Sequence, residues 1–445
     1  MKKFDLLILG SGPAGDDLAK KAAEAGKSVA VIDGLFGGTC ALKGCTPKKA
    51  MESITSIYWE AKHAQGKGFD KNIAPIEWRS LMAHKAKFTT LVPGGTKRKY
   101  KRYGITAIEG YGTFKDEQTV IVNKKEYTGK HIIIATGGKP TPLPFPGADH
   151  LITSYDFFEL DELPKKIAIV GGGYIGFELS HIIRACGSDV TILSMDEQPL
   201  SAFDSDHVDT LVKATLDKGI EVKLGFSVSE VVPENNGFRI TSKRADGKEF
   251  THQADLVIHA AGRTPNIDKL QLTNAGITLN KDKGVAVNDF LQVKSHDHIY
   301  ALGDVTGRLQ FTEVAKYEAT IVFHNLYSKR RKKVNYFGLP SVVYTYPRLA
   351  MVGKKSVDNK SKYIVRNEDA ANHFIQRAKS NTHARFKTIV DKKSKKIVGA
   401  QLLGYQAEEG INLIAMAMQL EVDYDKMRDF FFAYPTMGHT AKYLF

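Results

Sequence analysis

Twice in this chain a short apolar run ends in a glycine-rich turn that opens a helical stretch. The first is Phe4 to Leu9, followed by Gly10-Ser11-Gly12-Pro13-Ala14-Gly15. The second is Ile167 to Val170, followed by Gly171-Gly172-Gly173-Tyr174-Ile175-Gly176. Each leads on to another apolar run, Val29 to Ile32 in the first case and Val190 to Leu193 in the second. Strand, glycine turn, helix, strand is the unit in which backbone amides reach a pyrophosphate at a helix N-terminus, and the glycines keep side chains out of the way. Asp33, at the tip of the first unit's second strand, can hold a ribose diol. The repeat implies an α/β fold with two Rossmann-like domains and hence two dinucleotides, which is what electron transfer between a nicotinamide and a flavin requires. In the second unit Ser194, Met195 and Asp196 follow the strand, so neither an acid nor an arginine is cleanly placed for the ribose, and the reading leans slightly to NADPH over NADH.

Between these units lies Gly37-Gly38-Thr39-Cys40-Ala41-Leu42-Lys43-Gly44-Cys45-Thr46-Pro47-Lys48-Lys49, with two of the three cysteines five residues apart. A disulfide across so short a loop would remove little chain entropy, so the pair reads as a working dithiol. Pro47 suits the first turn of a helix running toward Lys62, whose N-terminus would favour thiolate. Zinc is excluded on ligand count, and no metal site is expected. Cys186 is read as a small buried hydrophobe.

At 445 residues the chain has room for about three domains. Its apolar runs are too short to span a membrane, Asp5 interrupts any signal-peptide pattern, and the sparse cysteines fit a reducing cytoplasm. The net charge of +14 lies in surface-like runs such as Lys329-Arg330-Arg331-Lys332-Lys333, which read as solvated surface in preference to a nucleic-acid site.

The two glycine turns, the GGTCxxxxC element, Ala135-Thr136-Gly137, Ala261-Gly262-Arg263-Thr264-Pro265-Asn266 and Ala301-Leu302-Gly303-Asp304 together resemble, in order and along nearly the whole chain, the flavoprotein disulfide reductases such as glutathione reductase, dihydrolipoamide dehydrogenase and mercuric reductase. The resemblance implies an FAD domain over 1–149 resuming at 265–334, an NAD(P) domain over 150–264, and an α+β dimerisation domain over 335–445. It implies that FAD is held by Gly10, Gly12, Gly15, Asp33, Thr39, Lys48, Gly112, Thr136, Gly137, Gly303, Asp304 and Thr312, the nicotinamide coenzyme by Gly171, Gly173, Tyr174 and Gly176, and that Gly262 and Arg263 also belong to the cofactor sites. Tyr174 matches the ring that gates the nicotinamide pocket, and Lys48 and Glu178 match an ion pair near the flavin. Hydride would pass from NAD(P)H to FAD and on to the Cys40–Cys45 disulfide. Cys45 would be the thiolate facing the flavin and Cys40 the sulfur that attacks a small-molecule or protein disulfide. The homodimers of this family share active sites between subunits.

Two departures stand out. Where the family's thiol reductases carry His-Pro-Thr with a glutamate beyond, this chain reads Tyr434-Pro435-Thr436-Met437-Gly438-His439, so tyrosine replaces the acid-base and histidine its orienter. A phenol cannot serve as an imidazolium at neutral pH, leaving His439 as a substitute proton donor or a substrate that needs none. Asp16 and Asp17 stand where relatives have small residues, with Lys20 one turn on, and Thr320 stands where glutathione reductases have a substrate arginine. The expected activity is therefore NAD(P)H-dependent reduction of a disulfide other than ordinary glutathione, less anionic or cationic; the alternative is reduction of a metal ion or quinone.

Overall fold

The computed structural model describes residues 2–359 and 361–444. The chain divides into two compact units. One comprises Met1–Ala50, Ala83–Pro142 and Gly262–Asn335, the other Met51–Met82, Leu143–Ala261 and Tyr336–Phe445.

The first unit is built on a seven-stranded sheet. Strand β1 (Lys2–Leu9) lies at its centre, parallel to β2 (Val29–Asp33) on one side and to the strand Lys125–Ile134 on the other. Leu6 to Leu9 are all buried, the continuous apolar signature of a parallel strand covered on both faces. Helix α1 (Pro13–Glu24) makes the crossover, burying Ala14, Leu18, Ala19 and Ala22 on one stripe. Ile299–Ala301 joins in parallel, which brings Gly303 and Asp304 to the same end of the sheet as Gly10. Between β2 and the rest of this unit come the short helix α2 (Gly38–Leu42) and helix α3 (Cys45–His63), which starts at Cys45, two residues before the proline that signalled it.

The second unit repeats the plan. Its parallel sheet runs Ile220–Leu224, Asp189–Ser194, Lys166–Val170, Leu256–His259 and Ile152–Thr153, with the helix Tyr174–Ala185 as first crossover. A three-stranded antiparallel sheet, Ser227–Glu234, Gly237–Lys243 and Glu249–Ala254, is appended. A further five-stranded antiparallel sheet follows, from Pro340–Val343 to Ile397–Gly404, with the helix Ala407–Gln419 packed against it. The segments expected as nucleotide-binding and dimerisation domains thus fall in one unit, each around its own sheet.

Within this second unit Arg348 is largely buried and bridges Glu52 at 2.8 Å and Glu408 at 3.1 Å. Burial pushes the Glu408 carboxyl above its ordinary range, against the pull of Arg348. Arg348→Met would strand two buried carboxylates. It should cost about 3–5 kcal/mol in urea unfolding at neutral pH, and the loss should shrink as pH falls and Glu408, already raised by burial, takes up a proton in the folded state.

Candidate active site

The two glycine turns are near copies at the level of atoms. Gly10 has φ +108°, and a Cβ there would stand 2.3 Å from the Ala135 carbonyl oxygen; Gly171 has φ +127°, and a Cβ would stand 2.3 Å from that of Ala260. In both turns the last glycine packs helix on strand, since a Cβ on Gly15 would meet the Gly10 oxygen at 2.0 Å and one on Gly176 the Gly171 oxygen at 2.2 Å. The middle glycines differ: Gly12 has only the Gly38 Cα at 4.0 Å and Gly173 nothing within 4 Å, so each opens onto space. Gly12 and Gly173 are also the N-caps of their helices, and neither has a side-chain cap. Open, uncapped helix starts behind a tight strand crossing fit the pyrophosphates of two dinucleotides.

The first unit gathers the residues expected around the flavin. Asp33 Oδ2 accepts from the amide and the hydroxyl of Ser11, both at 2.7 Å, and its Oδ1 from Leu35 N at 2.9 Å. The carboxylate therefore ties the glycine turn to the end of β2, besides any contact with a ribose. Ser11 Oγ also accepts from Gly37 N at 2.9 Å, joining the turn to the dithiol loop; sequence reading missed this serine, which lies inside the glycine motif itself. Thr136 Oγ1 donates to Asn266 O at 2.7 Å, and Arg263 Nη2 to Gly138 O at 2.6 Å. Gly112 is buried, and a Cβ there would press on Leu9 and Val120, so its smallness serves packing. Gly137 and Gly262 both have positive φ, with nothing close to a Cβ beyond Thr141 Oγ1, 3.6 Å from Gly262. Asp304 lies in the short turn Gly303–Thr306, and burial raises its carboxyl above the usual range against the pull of Arg263. Gly303 N donates to Glu318 Oε2 at 2.6 Å, a buried carboxylate that the motif gave no sign of. A half-buried acid beside an open glycine path suits a polyhydroxyl chain such as the flavin's ribityl.

The dithiol belongs to this same unit. Cys40 lies in α2 and Cys45 opens α3, and both are free thiols. Thr312, first residue of the helix Thr312–Tyr327, gathers them: its Oγ1 lies 3.1 Å from Cys40 Sγ and 3.4 Å from Cys45 Sγ. The Cys40 thiol is pushed far up, first by its hydrogen bond with Cys45, then by burial and by the negative charge of Cys45; Thr312 and Lys316 act in the opposite direction. Thr39 accepts at its carbonyl from Lys43 N at 2.8 Å, closing the loop between the cysteines, and Lys48 N donates to Gly44 O at 3.2 Å. Beside Lys48, the ammonium of Lys49 is buried.

Asp16 and Asp17 are both engaged. Asp16 pairs with Lys99 at 2.6 Å, Asp17 with Lys21, and Lys20 with Glu24 at 3.8 Å, so the suggested Asp16–Lys20 pair is replaced by three others. In the second unit Glu178 is buried and its Oε1 accepts from Tyr344 N at 2.8 Å, while Tyr174 is exposed. Ser194 is buried, and Arg244, distant in sequence, lies 2.8 Å from Glu197. Tyr434 and His439 do meet, with ring centroids 4.8 Å apart and edge to face, and His439 also touches Tyr443. Tyr434 is 65% exposed, so its hydroxyl edge is open for contact. Among the described residues no three His, Cys, Asp or Glu side chains gather as metal ligands, and no helix is long and apolar enough to cross a membrane.

Two dinucleotide folds and a paired thiol define a nicotinamide- and flavin-dependent dithiol oxidoreductase. The family description "Pyridine nucleotide-disulphide oxidoreductase" matches residues 4–319, and its dimerisation domain matches residues 339–444. The chain is 32% identical to mercuric reductase of Staphylococcus aureus over 99% of its own length and 81% of the relative's. It is 31% identical to glutathione reductase of Nostoc sp., with 94% of each covered. The Cu(II) complex of the HOCl-induced flavoprotein disulfide reductase RclA from Escherichia coli superposes with TM-score 0.89 at 28% identity, covering 100% of this chain and 99% of that one. The chain belongs to the pyridine nucleotide-disulphide oxidoreductase family. It is an enzyme that uses FAD and NAD(P)H.

Gly10→Val should remove the bound flavin, since the new side chain meets Ala135 O at a backbone conformation that suits only glycine. Purified variant should show no visible flavin absorbance, whereas Gly26→Ala, at a positive-φ glycine with nothing near its Cβ, should keep it.

Proposed function

We propose that this enzyme relays two electrons from NAD(P)H through FAD to a Cys40–Cys45 disulfide, and that Cys40 then reduces a disulfide substrate other than ordinary glutathione. The convergence of both sulfurs on the Thr312 hydroxyl carries the reading. The division of labour over 1–149 and 265–334 for FAD, 150–264 for the nicotinamide, and 335–445 for a homodimer goes with it, as does a cytoplasmic location. FAD, when bound, would supply a two-electron carrier between the nicotinamide and the disulfide. Gly12, Asp33, Thr136, Gly137, Arg263 and Asp304 would hold it, with Lys48 and Glu178 placed near its ring. Gly173 and Tyr174 would receive the coenzyme.

Reduction of the disulfide yields two sulfurs and one shared proton, which Cys40 keeps. As that proton passes to His439 of a second subunit, the Cys40 thiolate attacks one substrate sulfur, forms a mixed disulfide and expels the other half as thiolate, which takes the proton up. Cys45 then attacks Cys40, the second half leaves, and the Cys40–Cys45 disulfide is restored. Tyr434 and His439 of a second subunit are the residues assigned to protonate the leaving thiolates, and their edge-to-face contact makes them one unit. The acids of α1 are already paired with Lys99 and Lys21, which weakens the case for a cationic substrate. The case against glutathione rests on Thr320, which has no charge to offer a substrate carboxylate.

Reduction of a thiophilic metal ion is the second reading. It is favoured by the 32% identity to a mercuric reductase and by the Cu(II) complex of a structural neighbour. Such a substrate expels no thiolate, so it needs no histidine acid.

Under anaerobic titration with NADPH and with NADH, the native enzyme should develop a long-wavelength absorbance that Cys45→Ser abolishes and Cys40→Ser retains. Cys40→Ser should lose disulfide turnover by at least about 10³-fold, as expected for a missing nucleophile. Turnover of disulfides by Cys40→Ser at the native rate would sink the relay; faster turnover of Cu(II) or Hg(II) than of any disulfide in a panel would select the second reading.

A further inference from the structure

Helix Thr312–Tyr327 presents more than the bridging threonine to the dithiol. Thr312 and Lys316 are four residues apart and so stack one turn apart on the same helix face. Thr312 Oγ1 touches Cys40 Sγ at 3.1 Å, which anchors that face against the cysteine, and Lys316 is the next side chain along it. The ammonium is steered by Glu313, whose Oε1 lies 2.7 Å from Nζ. Besides its contact with Thr312, Cys40 feels the charges of Cys45 and Lys316; Lys316 feels Glu313 on its own helix, Asp17 on α1, and Cys40.

The attacking sulfur of a dithiol oxidoreductase needs a positive charge nearby when it becomes a thiolate. In this chain the residue at the usual acid-base position is Tyr434, which supplies none. We propose that Lys316 is the positive charge that steadies the Cys40 thiolate as it attacks, with Glu313 restraining it. This rests on the relay reading above and adds to it a residue that acts through Cys40. Lys316 is a positioning residue in this sense: it neither exchanges protons with substrate nor bonds to sulfur. Its side chain is 48% exposed, so solvent screens the interaction and the effect is modest.

Alkylation tests this without depending on substrate turnover. Holoenzyme is reduced anaerobically with NADPH, treated with iodoacetamide from pH 6 to 10, and the labelling rate of the Cys40 peptide is followed by mass spectrometry. Lys316→Gln should slow Cys40 labelling by roughly 1.5- to 5-fold on the lower limb of the profile. Because the Cys40 thiol is held far above its ordinary range, the gap should persist up to the top of this pH range. Lys316→Arg should keep the native profile, and Glu313→Gln should shift it the opposite way, to faster labelling at low pH. Raising the salt concentration should close the gap between native enzyme and Lys316→Gln. All three substitutions are at exposed positions, so folding is not at issue. Superimposable native and Lys316→Gln profiles, or a Glu313→Gln change of the same sign as Lys316→Gln, would overturn the proposal. Labelling of Cys40 that is equally fast before and after NADPH reduction would overturn the relay itself, a result recognisable whatever the variants do.

Discussion

The site depends on a contact between backbone atoms that leaves no room for a side chain. At Gly10 and again at Gly171 the chain leaves a central strand and crosses a neighbouring carbonyl so closely that a Cβ would lie 2.3 Å from oxygen. A contact that short lets the helix start directly above the strand end, with its first amides aimed outward over a glycine that has open space beside it. Everything expected to touch a dinucleotide is placed relative to that crossing. In the first unit Asp33 and Ser11 lock the turn to β2, and Ser11 passes the lock to Gly37, so the geometry of the pyrophosphate turn and that of the dithiol loop are set by one hydrogen-bonded string.

That coupling explains why the cysteines are arranged asymmetrically. Cys40 sits in a helix of five residues with a partly buried sulfur, whereas Cys45 opens a helix of nineteen and is exposed. A long helix favours negative charge at its start, and a short one contributes little. The Cys40 thiol is pushed above its ordinary range, by its hydrogen bond with Cys45 first and by burial next. On the proposed relay, the arrangement would separate two tasks that a symmetric pair would confuse: one sulfur carries charge at rest, and the other becomes nucleophilic only when its proton is taken.

Much of this was legible from the sequence because it is local. The strand, turn and helix at Gly10 and Gly171, the pairing of Cys40 with Cys45, and the helix near Pro47 all follow from residues within a few positions of each other. What escaped was set by packing between distant segments. Thr312 was expected at the flavin from the resemblance, but its reach to both sulfurs, from 267 and 272 residues away, follows from no spacing rule. Glu318 caps Gly303 from the buried face of a helix whose sequence looks merely amphipathic. Arg244 meets Glu197 only because the chain folds back past the end of the second nucleotide strand. Asp16 misled for the same reason: its nearest lysine in sequence is Lys20, but its partner in space is Lys99.

The charges around α1 bear on what approaches Cys40. Asp16, Asp17 and Glu24 each have a lysine, and Lys316 has Glu313, so the acids and bases of this region pair off within the unit. A surface of closed pairs attracts neither a polyanion nor a polycation strongly, since each pair's field falls off within a Debye length. On the proposed relay, selectivity for substrate would rest on shape and on the reactivity of Cys40 more than on a charge match. Reactivity of that kind is shared by strained disulfides and thiophilic metal ions alike, since both accept a thiolate without needing a salt bridge to hold them. On the proposed relay, a chain that keeps the dithiol, carries Thr320 and Tyr434 where the resemblance expects arginine and histidine, and pairs off the charges of α1 would suit substrates recognised chiefly by their affinity for sulfur.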